Sequence, residues 1–86
     1  HLIIIGDGPE LVNLKSLVNK YNLYSSVLFT GYRKDIYNCL NSIDIFVMPS
    51  FYEGFPISLL EAMSSGCLCI VSTLDVPSEM KKYVNC

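Results

Sequence analysis

Leu2-Ile3-Ile4-Ile5 runs directly into Gly6-Asp7-Gly8-Pro9, after which Leu11, Leu14, Leu17, Val18 and Tyr21 recur at helical spacing. An apolar run of strand length, a glycine turn and an amphipathic helix form the first repeat of a pattern that continues along the chain. Residues 27–30 are a short β-prone run closed by Gly31, and Ile36, Cys39, Leu40 and Ile43 then mark a helix beginning near Asp35. Residues 45–48 form a third strand, stopped by Pro49. Pro56 stands where a helix can begin, because its missing N–H costs nothing at the first position. Leu59, Leu60, Ala62 and Met63 carry that helix to Gly66, a natural terminator. Residues 68–71 make a fourth strand, and residues 77–84 read as a last, weakly patterned helix. Strand and helix alternate four times, and the strands are apolar on both faces, as parallel strands covered by helices are. The expected fold is α/β, an open parallel sheet of about four strands with flanking helices.

Composition removes several classes of function. Of the 86 residues, 51% are hydrophobic, so a packed core is expected and disorder is excluded. Eight acidic residues against six basic ones leave a net charge of −2, too little positive surface for nucleic acid. The apolar runs fall short of the length that crosses a bilayer. The chain opens without Met in a strand-like run and stops after a basic segment, and the expectation is one partial domain, residues 1–86, of a longer protein. Four cysteines without a signal-like segment, three of them in apolar runs, read as reduced, buried thiols of a cytoplasmic protein. Cys67 and Cys69, two apart, are expected on one face of a strand. His1 is the single histidine, so metal ligands are scarce and no metal is expected.

In an open parallel sheet ligands bind beyond the carboxyl ends of the strands, which places the chemistry in four loops. Gly6-Asp7-Gly8-Pro9 lacks the third glycine of a dinucleotide fingerprint, Leu11 standing in its place. Two readings stay open there: a tight turn with Asp7 or Gly8 capping the helix and Glu10 favouring its positive end, or a backbone approach of Gly6 and Gly8 to a phosphate. At Gly31-Tyr32-Arg33-Lys34 two cations precede a helix start, which suits an anionic ligand and equally an ordinary solvated loop with Asp35 as counter-charge. The segment from Ser50 through Glu53-Gly54-Phe55-Pro56 to Leu60-Glu61-Ala62 says more. A helix starting at Pro56 directs the amides of Ile57, Ser58 and Leu59 at an anion. Glu61 then lies about 7 Å along the axis at 1.5 Å per residue, where a carboxylate can accept two hydrogen bonds from a vicinal diol. Diphosphate and ribose of a nucleotide have that arrangement. Glu53 reaches the same helix end from the loop side. The competing reading makes both acids surface residues, but Glu61 is a lone carboxylate between Leu60 and Ala62-Met63.

With these residues in view the sequence resembles the nucleotide-sugar-binding half of GT-B glycosyltransferases, the group 1 or family 4 retaining class. The matching segments are Gly6-Asp7-Gly8-Pro9, Phe29-Thr30-Gly31-Tyr32-Arg33, the run from Ser42 to Pro49, and Glu53-Gly54-Phe55-Pro56 through Leu60-Glu61-Ala62-Met63, which has the family's E-x7-E spacing. The resemblance implies a Rossmann-like donor domain in which Glu53 contacts the transferred sugar and supports developing charge. It further implies that Gly54 and Phe55 approach the sugar through the backbone, Ser58 and Leu59 offer amides to the diphosphate, Glu61 holds the ribose, and Tyr32 and Arg33 lie near the base. The chain departs from the family after the fourth strand, where residues 72–79 contain no glycine.

The expected activity is transfer of a sugar from a nucleotide diphosphate donor to an acceptor hydroxyl with retention, without a metal because no Asp-x-Asp pair is present. An N-terminal acceptor domain is expected elsewhere in the same protein, so these residues alone are expected to be inactive. Similar enzymes assemble bacterial surface polysaccharides, which implies a cytoplasmic location at the inner membrane face through the missing domain. The rivals are another GT-B enzyme, such as a phosphorylase or nucleotide-sugar epimerase, and a non-catalytic α/β interaction module.

Overall fold

The computed structural model describes residues 1–50, 57–72 and 77–84 of the 86-residue chain. In order, it contains β1 (Leu2–Ile5), α1 (Leu11–Lys20), β2 (Val27–Gly31), α2 (Ile36–Asn41), β3 (Ile45–Met48), α3 (Ile57–Ser64) and β4 (Leu68–Val71), followed by a 3-10 turn (Lys81–Tyr83). They fall into two compact units, His1–Lys34 and Asp35–Cys86. Both are α/β with parallel strands, as expected. The described strands pair as two ribbons, β1 with β2 and β3 with β4, instead of one sheet of four.

In the first unit the ribbon runs in register from Leu2 opposite Val27 to Ile4 opposite Phe29, then slips so that Ile5 faces Gly31. Helix α1 buries one residue, Val18, because Asn13, Lys15, Ser16, Asn19 and Lys20 leave it only a narrow apolar stripe. It ends at Asn22, held at φ 56°. The Leu23 N–H donates to the Val18 carbonyl at 2.9 Å and the Asn22 N–H to the Asn19 carbonyl at 3.2 Å, the paired bonds that close a helix through a left-handed residue.

The second unit holds the main core. Leu40, Met48, Leu59, Ala62, Cys69 and Val71 form one buried cluster, with Ile36, Ile43, Phe46, Met63, Cys67, Met80 and Val84 packed around it. The ribbon runs in unbroken register from Ile45 opposite Leu68 to Met48 opposite Val71. Its side chains alternate, so Phe46, Met48, Cys69 and Val71 turn inward and α3 packs on them through Leu59 and Ala62, both 0% exposed. Ile45, Val47, Leu68 and Ile70 occupy the other face and are 40% to 54% exposed, so strands expected to be covered on both faces are covered on one. Helix α3 ends at Gly66 with the same bond pair as α1: the Cys67 N–H reaches the Ala62 carbonyl and the Gly66 N–H the Met63 carbonyl, both at 3.1 Å.

Three local expectations are corrected. Residues 77–84 hold turns and one 3-10 turn rather than a helix, because the segment offers the core only Met80 and Val84. Cys67 precedes β4 instead of sharing a strand face with Cys69, and its thiol donates to the Leu40 carbonyl at 3.4 Å beyond the end of the strand. Of the described cysteines only Cys69 is fully buried, while Cys39 and Cys67 are half-buried free thiols.

Candidate functional site

Each unit presents its own loops at the carboxyl ends of its strands. In the first, Gly6 at φ 119° and Gly31 at φ 68° face each other just past the register slip. These are backbone conformations that a side chain would strain, and they let the Gly6 N–H donate to the Gly31 carbonyl at 2.9 Å. The Gly8 N–H donates to the Asp7 carboxylate at 2.7 Å. Both glycine amides are therefore engaged, that of Gly6 across to β2 and that of Gly8 within the turn. Neither Asp7 nor Gly8 is the helix cap: that position falls to Glu10, whose carbonyl accepts from the Leu14 N–H at 2.9 Å and whose carboxylate accepts from the Asn13 amide at 2.9 Å. The turn runs two residues further than the expected cap because Gly8 closes a loop of its own, its carbonyl taking the Leu11 N–H at 3.2 Å. Beyond β2, Tyr32 is 75% exposed and Arg33 and Lys34 are exposed beside it.

In the second unit the site is built on α3. Leu59 and Ala62, three apart, fix one face of the helix in the core, which fixes where every other face points. Ser58 and Glu61, also three apart, share a different face about 4.5 Å from one another along the axis. Glu61 is half-buried, neither a solvated surface acid nor a core residue. The Ser58 hydroxyl meets the Met48 sulfur at 3.9 Å, which brings the first turn of α3 against the end of β3. Glu53, Gly54 and Phe55 lie outside the described residues, as does Pro56.

Sequence reasoning passed over Ser72. It follows β4, where its N–H donates to the Met48 carbonyl at 3.2 Å and its hydroxyl donates to the Ser50 carbonyl. The signal was Pro49, which has no N–H to offer the ladder and so marks where backbone pairing needs a substitute. Burial pushes the Cys69 thiol above its ordinary pKa of 9.0, with the neighbouring Cys67 adding to the shift. No three His, Cys, Asp or Glu side chains come together as a metal cluster among the described residues.

Residues 1–83 match the family described as glycosyl transferases group 1. The chain is 44% identical over 71 residues to the Bacillus subtilis protein EpsF, covering 83% of this chain and 18% of that protein. It is 43% identical over 74 residues to the Escherichia coli UDP-Gal:alpha-D-GlcNAc-diphosphoundecaprenol alpha-1,3-galactosyltransferase, covering 85% of this chain and 19% of that enzyme. The solved apo structure of the lipopolysaccharide outer core galactosyltransferase WaaB superposes with a TM-score of 0.80 at 28% identity, over 92% of this chain and 23% of WaaB. The chain thus spans about a fifth of the length of these proteins. With a family match along nearly its whole length and a solved galactosyltransferase superposing on it, the chain belongs to the group 1 glycosyl transferases.

Proposed function

We propose that this chain is donor-binding structure of a retaining glycosyltransferase that moves a sugar from a nucleotide diphosphate to an acceptor hydroxyl. The observation that carries the reading is α3. One of its faces is locked in the core by Leu59 and Ala62, the next carries Ser58 and the half-buried Glu61, and the Ser58 hydroxyl meets the Met48 sulfur at the end of β3. A helix beginning at Ile57 has first-turn N–H groups without intrahelical carbonyls and a positive dipole end, which suits the diphosphate. Ser58 and Leu59 supply amides there, and Glu61 accepts hydrogen bonds from the ribose diol a turn deeper.

Transfer breaks the bond between the anomeric carbon and the diphosphate, whose oxygen leaves with the electron pair. The acceptor oxygen bonds to that carbon and gives up its proton. Helix amides that stabilise the departing charge lower the barrier because they are fixed before the reaction begins. Glu53 supports the positive charge that develops on the sugar, with Gly54 and Phe55 as backbone contacts. In the other unit, an exposed aromatic ring beside a cation, Tyr32 with Arg33, suits a nucleobase. Gly6 and Gly8 serve the turn that carries the chain from β1 to α1.

No divalent metal is required in this reading, since the sequence has no Asp-x-Asp pair. The acceptor site belongs to another domain of the same protein. The Escherichia coli relative is named for a sugar linked to diphosphoundecaprenol, which supports a lipid-linked acceptor, and the proposal places the protein in the cytoplasm at the membrane face. Calorimetry with bare nucleoside diphosphate and initial rates with the intact donor test the two carboxylates in the full-length protein. Glu61→Ala weakens both ligands by about 1.5 to 3 kcal/mol, since both carry the ribose. Glu53→Gln leaves diphosphate binding intact and lowers turnover by about a hundredfold or more. Diphosphate binding lost in Glu53→Gln, or spared in Glu61→Ala, overturns these roles.

A further inference from the structure

The outer edge of the first ribbon sets unpaired backbone beside an apolar groove. Among the described strands β2 has a single neighbour, β1. In a parallel pair successive residues of a strand turn their amide groups to opposite edges, and the Leu2 N–H donates to the Ser26 carbonyl at 2.8 Å. Ser26 and Leu28 therefore face β1, and Val27 and Phe29 turn their backbone groups to the other edge. The Leu23 carbonyl takes the Val27 N–H at 3.1 Å, which leaves the Val27 carbonyl and the Phe29 N–H and carbonyl for a further strand. Charges and prolines are common devices that keep an edge from pairing, and Val27-Leu28-Phe29-Thr30-Gly31 contains neither.

The side chains of the same two residues help to form the groove. A cavity of about 240 Å³ is lined by Lys15 and Val18 of α1, by Tyr24, and by Val27 and Phe29 of β2. Small-molecule sites run from about 300 to 1,000 Å³, so this volume suits a side chain or two instead. Lys15 is exposed, its ammonium 5.7 Å from the Phe29 ring centre, and it pairs with no carboxylate among the described residues. A strand added along β2 lies about 4.8 Å away, and every second side chain of it stands on the same side of the ribbon as Val27 and Phe29, over the cavity. An apolar side chain there meets Val18, Val27 and Tyr24, and a carboxylate two residues along answers Lys15. A second copy adding its own β2 brings no acid to Lys15, because β2 has none. We propose that the β2 edge is a docking site for an extended segment of a partner protein in which a carboxylate side chain and an apolar side chain stand two residues apart. Every residue of the site lies in the first unit, and the inference does not depend on the sugar-transfer reading.

The test measures binding of labelled six-residue peptides to the full-length protein by fluorescence anisotropy, with amide hydrogen exchange over residues 26–32 as a second readout. The probe peptide has glutamate second and leucine fourth in a background of threonine. One control has lysine in place of the glutamate, and the other has the glutamate first, which turns it to the opposite face from the leucine. The probe binds with a Kd below about 1 mM and slows exchange over residues 26–32, while both controls bind about tenfold or more weakly. Lys15→Glu, a change at an exposed position, reverses the order, so that the lysine peptide binds better than the glutamate one. The assignment is overturned by a probe that does not bind up to about 1 mM, by controls that match it, by binding without slower exchange, or by an unchanged order in Lys15→Glu. It is equally overturned if exchange over residues 26–32 is already as slow in the free protein as with excess probe, because the edge is then covered by another part of the protein or by a second copy. If Lys15→Glu does not fold, Lys15→Gln decides: similar affinity for the glutamate and lysine peptides supports the site, and a retained preference of about tenfold overturns it.

Discussion

The two units share a plan, a parallel ribbon with helices, yet they are held together differently. In the first, α1 contributes a single buried side chain, Val18, beside the half-buried Ile4, Ile5, Leu11, Val27 and Phe29. The Lys15 ammonium sits 5.7 Å from the Phe29 ring, and the Tyr24 hydroxyl bonds the Asn19 side chain. With the ammonium exposed over a half-buried ring, such a contact is worth only about 0.5 to 1 kcal/mol. In the second unit α3 offers Leu59, Ala62 and Met63 to β3 and β4, and full burial of a leucine alone contributes about 1.5 to 3 kcal/mol. The difference comes from helix composition. Five of the ten residues of α1 are polar, against three of the eight in α3, and those three are Ser58, Glu61 and Ser64. The residues assigned to donor chemistry on α3 thus stand on the better-packed unit, where a functional group stays in position while the surface moves.

The sharpest way to break this comparison is to remove the anchors. Leu59→Ala costs about 2 to 5 kcal/mol of stability in urea denaturation of the full-length protein, since it empties a fully buried position. Val18→Ala costs about 1.5 kcal/mol, the loss of two methyl-sized groups at an incompletely buried one. An equal or larger loss at Val18 would show that the first unit is not the weaker. The helix ends give a smaller contrast. Both α1 and α3 close through a left-handed residue, Asn22 at φ 56° and Gly66 at φ 81°. Gly66→Ala therefore costs about 1 to 2 kcal/mol, whereas Asn22→Gly changes stability by a few tenths, and thermal melts distinguish the two.

The smallest effect concerns pH and belongs to the second unit alone. The Cys69 thiol has a folded-state pKa raised above 9.0, first by burial and then by Cys67. Above that pH the unfolded thiol ionises while the folded one keeps its proton, so the unfolded state binds fewer protons and stability falls as pH rises toward the folded pKa. The contribution is fully present below pH 9.0. Cys69→Ala, compared with wild type in denaturant titrations from pH 8 to 10.5, shows a shallower alkaline loss. A slope identical to wild type would remove Cys69 from the account.

Local pattern carried much of this structure. Helix α3 was legible because Leu59, Ala62 and Met63 follow helical spacing up to Gly66, and α2 because Ile36 and Leu40 do so after Asp35. Pairing was less legible. β3 and β4 are apolar throughout, so alternation could not say which face is covered, and only the structure separates Met48 and Val71 from Val47 and Ile70. Which strands pair is a long-range choice that spacing does not encode. The cap at Glu10 was hidden because Asp7 is the better capping residue by type, and its carboxylate is taken by the adjacent Gly8 amide. For the candidate site, Ser58 and Glu61 were readable as a helix face. Ser72 was not, because a serine after a strand has no pattern of its own until its carbonyl partner at Ser50 is known.

The uncovered face of the β3–β4 ribbon has a consequence for handling this polypeptide. Ile45, Val47, Leu68 and Ile70 form an apolar patch on two strands that contain no charged residue. Such strands are templates for cross-chain association wherever their face meets another copy of itself. Asp44, exposed and immediately before β3, is the nearest charge preceding the patch in the chain, and its carbonyl already receives the Leu68 N–H at 3.1 Å. It occupies the position of a gatekeeper, its like-charge repulsion between neighbouring copies opposing the self-association that the hydrophobic face promotes.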